Sequence, residues 1–287
     1  IKTFATDLSG ESAEGQVFFS TAPQFNALKT VVKIDSWASG GNLNSARHAL
    51  SGFGTQTAGL AAGGQTTANS EEYDGSSWTE GNNLASTRFY AGGAGTQTAA
   101  LIFGSYPNAV TTEEYGGTSW TSGGNLNTGR ALLGGAGTQT AGLAFGGNSD
   151  PPITNASEEY NGSSWTEGNN LNTARQSMAG FGTQTAALAA AGATDTDRVV
   201  SAEEYNGTSW SNVNNANTAR NGLAGGGIQT AGLIFGGLTA TALTGATETY
   251  DGTTFVSVGS MATARRILAG AVSAPNTAGL GFGGYGP

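Results

Sequence analysis

Cysteine is absent from this 287-residue chain. That excludes a disulfide framework, thiolate metal sites and thiol catalysis. It leaves the compartment open, because a large β-ring can be stable outside a cell without disulfides. Charge is also scarce: Asp, Glu, Lys and Arg make up 11% of residues, and 11 cationic residues stand against 20 acidic ones, for a net charge of −9. A surface that tracks phosphates needs clustered Lys and Arg, so neither nucleic acid nor an anionic membrane surface is an expected partner. Histidine occurs once, as His48. No apolar run approaches the ~20 residues of a bilayer span, so no membrane insertion is expected. The start at Ile1-Lys2-Thr3-Phe4 has no initiator Met and no cationic-then-apolar leader, and reads as processing or as the interior of a longer product.

Glycine, by contrast, contributes 48 residues. So much Gly with so little charge would suggest disorder if the glycines were not placed at a fixed period. Trp37, Trp78, Trp120, Trp165 and Trp210 mark that period, with Phe255 in the sixth place, at steps of 41, 42, 45, 45 and 45 residues. An Arg follows each aromatic by ten positions: Arg47, Arg88, Arg130, Arg175, Arg220 and Arg265. A Thr follows each of the first five by ten more (Thr57, Thr98, Thr140, Thr185, Thr230), whereas Thr277 comes twelve after Arg265. Repeats of this length signal a propeller or solenoid.

Each unit reads as four short strands. An apolar stretch after the Arg (Ala49 to Phe53 in the first copy) leads to a Gly-Thr-Gln turn. A second strand follows, of the form TAGLAFGG, in which Leu60, Leu101, Leu143, Leu188, Leu233 and Leu280 sit two residues after a small Ala. That alternation puts Leu on one face of the strand, as radial packing of blades requires. The third and fourth strands come from segments such as Glu71-Glu72-Tyr73 and Ser76-Ser77-Trp78. Asp74-Gly75, Asn161-Gly162, Asn206-Gly207 and Asp251-Gly252 join them and predict type I′ hairpins. The chain enters with an outer-type pair at Lys29 to Gly40 and leaves with an inner-type pair at Ile267 to Gly284. The prediction is therefore an all-β, six-bladed propeller over residues 29–287 with four-stranded antiparallel blades. N-terminal outer strands would close the ring on C-terminal inner strands and remove its open edges. Residues 1–28 fall outside the repeat phase and read as a linker, an extra hairpin, or an attachment or oligomerisation arm.

These features resemble the kelch-repeat family. Kelch repeats pair a diglycine after an apolar strand, here Gly63-Gly64, Gly146-Gly147, Gly236-Gly237 and Gly283-Gly284, with a downstream Tyr and Trp and an Arg opening the next unit. Two copies depart, with Gly104-Ser105 and Ala191-Gly192, and the Tyr-to-Trp gap is shorter than in typical kelch repeats. The near-identical copies are similar to the low-divergence kelch arrays of tailed-bacteriophage fibre and virion-surface proteins. That resemblance implies a virion-surface, extracellular appendage, attached to other virion proteins through residues 1–28 and oligomeric. Its propeller face would bind a host glycan or protein. An architectural self-assembling subunit and a soluble kelch adaptor are the alternatives.

No enzyme reading finds its parts. The copper oxidases among kelch-like propellers need His ligands and a cysteine-modified Tyr, and this chain has one His and no Cys. Sialidase Asp boxes match only in part, since Tyr73 stands at the Asp position. No cofactor and no metal is expected; Asp195 and Asp197 are too few carboxylates for Ca²⁺. Residues repeated in every blade (the five Trp, the six Arg and the Glu pairs) are read as serving the blade. Function is sought where repeats differ, in the loops between second and third strands. There Tyr106, Asp150, Asp195, Asp197 and Arg198 are the candidate ligand-binding residues.

Overall fold

The structure, a computed structural model, describes residues 36–149, 152–272 and 278–287. Residues 1–28, most of the expected 29–40 pair and Thr277 lie outside the described residues. In the first blade β1 (Ser51–Thr55), β2 (Ala58–Ala62), β3 (Ser70–Tyr73) and β4 (Trp78–Glu80) form one antiparallel sheet in chain order. The next holds β5 (Gly92–Gly95), β6 (Ala100–Phe103), β7 (Thr112–Tyr115) and β8 (Trp120–Ser122). The third is β9 (Gly134–Gly137), β10 (Gly142–Phe145), β11 (Ser157–Tyr160) and β12 (Trp165–Gly168). The fourth is β13 (Ala179–Thr183), β14 (Ala186–Ala190), β15 (Ala202–Tyr205) and β16 (Trp210–Val213). The fifth is β17 (Ala224–Ile228), β18 (Ala231–Phe235), β19 (Thr247–Tyr250) and β20 (Phe255–Val258). A two-stranded sheet, β21 (Ala269–Val272) with β22 (Gly279–Phe282), follows.

The molecule is thus an all-β propeller with four-stranded antiparallel blades. The count differs from the prediction, with five complete blades among the described residues instead of six. The sixth place holds only its inner pair, and residues 36–40 form no strand. The repeat itself departs here: Thr30, Val31 and Val32 stand where the other copies have Glu, a second Glu or Thr, and Tyr. Trp37 is nonetheless seated like its counterparts. Its ring lies 4.8 Å from Phe235 and its Nε1 donates to Thr247 Oγ1 at 3.0 Å, as Trp210 lies 4.9 Å from Phe145 and donates to Ser157 Oγ.

The inner strands β1, β5, β9, β13, β17 and β21 pack each on the next, and β21 packs on β1. They approach so closely that a β-carbon on Gly135 would lie 2.4 Å from the Gly93 carbonyl oxygen. Above them runs a closed circle of backbone hydrogen bonds. Tyr90 N donates to Ala49 O, Leu132 N to Tyr90 O, Ser177 N to Leu132 O, Gly222 N to Ser177 O, Ile267 N to Gly222 O and Ala49 N to Ile267 O, at 2.6–3.0 Å. All six residues are left-handed, with φ between 53° and 63°. For the five that are not Gly this conformation costs ~1–3 kcal/mol each, and it persists because the circle over-determines it. It also explains why β1 begins at Ser51 rather than at the predicted Ala49.

The outer hairpins differ from prediction as well. Gly75, Gly162, Gly207 and Gly252 have positive φ, but Asp74, Asn161, Asn206 and Asp251 do not, so the turns are not type I′. Tyr73 pairs with Trp78 across a four-residue loop in which Asp74 Oδ1 accepts from Ser76 N and Ser77 N, both at 2.8 Å. The Asp or Asn side chain, acting as an Asx turn, sets the loop. Those bonds, with the Ser77 amide foremost, hold the Asp74 carboxyl far below the usual carboxylate range.

Neighbouring blades are keyed by the tryptophans. The Nε1 of Trp120, Trp165, Trp210 and Trp37 donates to Ser70, Thr112, Ser157 and Thr247, each on the third strand of the preceding blade. Trp78 Nε1 instead donates to Gly41 O at 3.1 Å, and where Phe255 lacks the donor, Ala202 lacks the acceptor, the two sharing one apolar cluster. Phe255→Trp should therefore cost ~1–3 kcal/mol by burying an unpaired N–H, and Ala202→Ser should recover most of that loss only in the double variant. Urea unfolding of the four-variant cycle measures the coupling; strictly additive effects would refute the pairing.

Candidate functional site

The invariant side chains turn inward to hold the blade. Arg88, Arg130, Arg175 and Arg220 are almost fully enclosed, and each pairs with a buried carboxylate of its own blade: Glu113 at 2.8 Å, Glu158 at 2.7 Å, Glu203, and Glu248 at 3.0 Å; Arg47 pairs with Glu71 in the same way. The guanidinium also reaches carbonyls flanking the loop between second and third strands, as Arg130 Nη1 does at Gly146 O and Ala156 O. Burial lowers the pKa of Arg130, Arg175 and Arg220, opposed in each case by the facing glutamate. Arg265 has Gly283 O as its partner and, among the described residues, no carboxylate. The ring of arginines is thus occupied by the scaffold and presents no free cationic ring to a ligand.

The second glutamate of each pair works between blades. Tyr115, Tyr160 and Tyr205 donate to Glu72, Glu114 and Glu159 of the preceding blade at 2.5 Å, and Tyr250 to Glu204 at 2.9 Å. Gln97, Gln139, Gln184 and Gln229 each bridge two carbonyls of the blade before; Gln97 Nε2, for example, reaches Gly59 O and Tyr73 O.

What varies lies immediately after the arginine. The next two residues read His48-Ala49, Phe89-Tyr90, Ala131-Leu132, Gln176-Ser177, Asn221-Gly222 and Arg266-Ile267. The left-handed turn at the second of each pair brings these residues to the propeller axis. The second residue of every pair, together with Gln176, Asn221 and Arg266, rims an axial depression of 370 Å³, within the ~300–1,000 Å³ of small-ligand sites. Its polar side chains are Tyr90, Tyr106, Gln176, Ser177, Asn221 and Arg266, over walls that include Leu50, Leu133, Met178 and Leu223. A second, smaller space continues along the glycine-lined inner strands.

Of the residues singled out from sequence, Tyr106 lies in this depression, 55% exposed, with its ring 5.5 Å from Phe89, which in turn lies 5.6 Å from Tyr90. Arg198 approaches it, donating from Nε to Asn221 Oδ1 at 3.0 Å. Asp195 and Asp197 are exposed on the Thr194–Asp197 turn and do not line it. Asp150 lies outside the described residues. Sequence reading passed over Tyr90, Gln176, Asn221 and Arg266, and also Tyr285, which is 54% exposed, carries Arg266 over its ring at 5.5 Å and lies 6.3 Å from His48. The available signal was the change of side chain at fixed offset from an unchanging Arg.

Among the described residues no group of three or more His, Cys, Asp or Glu is placed to hold a metal ion. No protein-family model matches the chain, and the curated proteins yield no match.

Proposed function

We propose that this chain is a non-enzymatic recognition module, a six-bladed kelch-type propeller that binds a host-surface saccharide or protein through its axial face as part of a virion-surface appendage. One observation carries the recognition reading. Side chains that repeat in every blade are spent on ion pairs and blade seams, whereas Tyr90, Gln176, Asn221 and Arg266, which follow the repeated arginines but differ, line one depression beside the exposed ring of Tyr106. A rigid scaffold with variable side chains at one mouth is the usual arrangement for recognition. The closed backbone circle and the seat of Trp37 on Phe235 and Thr247 support a sixth blade completed by the N-terminal outer pair.

The virion placement rests on the resemblance of the near-identical repeats to phage kelch arrays, with residues 1–28 as the proposed attachment and oligomerisation arm. Electron microscopy of the native source particle, beside class averages of the purified chain, tests it. Rings at fixed copy number on a virion or filament are the expected result; a free monomer unconnected to any particle would remove the virion part. Binding of the purified chain to host-envelope saccharides, and its loss in Tyr106→Ala with melting unchanged, tests the recognition part. Ordered self-assembly with no ligand bound would instead favour an architectural subunit.

A further inference from the structure

The recognition reading leaves the ligand open, and the charge distribution narrows it. Net charge is −9, yet among the described residues no Asp or Glu lines the axial depression. Five of the arginines are neutralised in buried ion pairs and Arg265 is held at a carbonyl. Two described cations outside the repeat pattern remain, Arg198 and Arg266. Arg266 lines the axial depression and Arg198 bonds Asn221 at its edge, and among the described residues neither has a carboxylate partner. Arg266 is fixed at both sides, its backbone N and O bonded to Tyr285 O and N at 3.0 and 2.8 Å and its guanidinium over the Tyr285 ring. The Oε1 of Gln176, another residue of the same depression, has no hydrogen-bond partner. An unpaired polar group in a polar depression calls for a partner.

We infer that the axial depression takes a saccharide bearing a carboxylate. A planar guanidinium clamped on an aromatic ring presents a fork that matches a carboxylate's two oxygens. The amides of Gln176 and Asn221 and the hydroxyls of Tyr90 and Ser177 suit sugar hydroxyls, and Tyr106 offers an exposed ring face for the apolar face of a pyranose. A phosphate fits less well. Phosphate sites draw on clusters of free backbone N–H groups, and the six amides around this mouth are all consumed in the hydrogen-bonded circle.

The inference rests on the recognition reading, and the test separates the two. Calorimetric titration of the full chain would compare sialyllactose, trigalacturonate and a glucuronate-containing heparosan oligosaccharide, each against its carboxyl-reduced counterpart. At least one acidic form should bind roughly tenfold or more tighter than its reduced partner. Arg266→Gln should erase that ratio while leaving weak binding of both forms, and Arg266→Lys should keep part of it. Unchanged thermal melting of both variants shows that the ring is intact. If acidic and reduced sugars bind alike, or Arg266→Gln leaves the ratio intact, the carboxylate assignment is overturned and the recognition reading stands. If no saccharide of either kind binds, the saccharide reading falls and the inference with it.

Discussion

Glu158→Ala should destabilise the propeller by about 3–5 kcal/mol, the cost of stranding one charge of a buried pair. Arg130 is 0% exposed and Glu158 2%. Glu158 Oε1 accepts from Arg130 Nη2 at 2.7 Å, and its Oε2 accepts from Asn127 N at 2.7 Å and Asn127 Nδ2 at 3.0 Å. Removing it leaves the guanidinium with two carbonyls and no counter-charge, and it frees the segment that leads into the third blade. Against the ~5–15 kcal/mol that holds a typical domain, such a loss would show as a large fall in the urea midpoint. A double replacement, Arg130→Met with Glu158→Leu, should recover only part of it. Burying apolar isosteres removes the stranded charge, but Gly146 O, Ala156 O and the Asn127 amide would still lack the partners they now have. A loss below ~1 kcal/mol in Glu158→Ala would mean that the site admits water and that the pair behaves as a surface one.

The repeat made this architecture legible because every blade meets the same physical demands. An Arg must reach the loop between second and third strands, an aromatic ring must pack against the preceding blade, and Leu must fill the gap between sheets. Each demand stamps one residue type at one phase. Periodicity is blind to choices settled by a side chain's local bonds, which is why Asp74-Gly75 reads as a type I′ turn and proves to be a four-residue Asx loop. It is blind for a different reason at the axial face. Tyr90, Gln176, Asn221 and Arg266 share a phase but no chemistry, and loop length, the difference visible in sequence, led instead to Asp195 and Asp197. Tyr106 was found both ways because it lies in a variable loop and folds back over Phe89. The first copy of the repeat is the converse case: Trp37 keeps the phase while Thr30, Val31 and Val32 abandon the chemistry.

The seams between blades make the ring vulnerable to alkali, and this effect should be the second large one. Burial first, and then the facing glutamate, push the phenol of Tyr160 up to about 12 and raise those of Tyr115, Tyr205 and Tyr250 in the same way. An unfolded tyrosine ionises near 10. The folded values lie above the unfolded one, so the stability these groups contribute is complete below pH 10 and is lost as pH rises through the folded values, at 12 and beyond. In that window each seam exchanges a hydroxyl donating to a carboxylate for two like charges, 2.5 Å apart at Tyr160 and Glu114. A hydrogen bond to a charged group contributes ~1.5–3 kcal/mol, toward the lower end here because the four glutamates are only half-buried. Four such bonds fail together, because the blades share one closed circle. Phenolate absorbance and far-ultraviolet circular dichroism, followed together against pH, should show these tyrosines ionising only as the sheet signal collapses, above pH 10. Glu114→Gln should lower the ionisation of Tyr160 alone, since burial still raises it but the carboxylate no longer does. Four phenolates forming reversibly near pH 10 with the sheet signal intact would show that the tyrosine seams do not hold the blades.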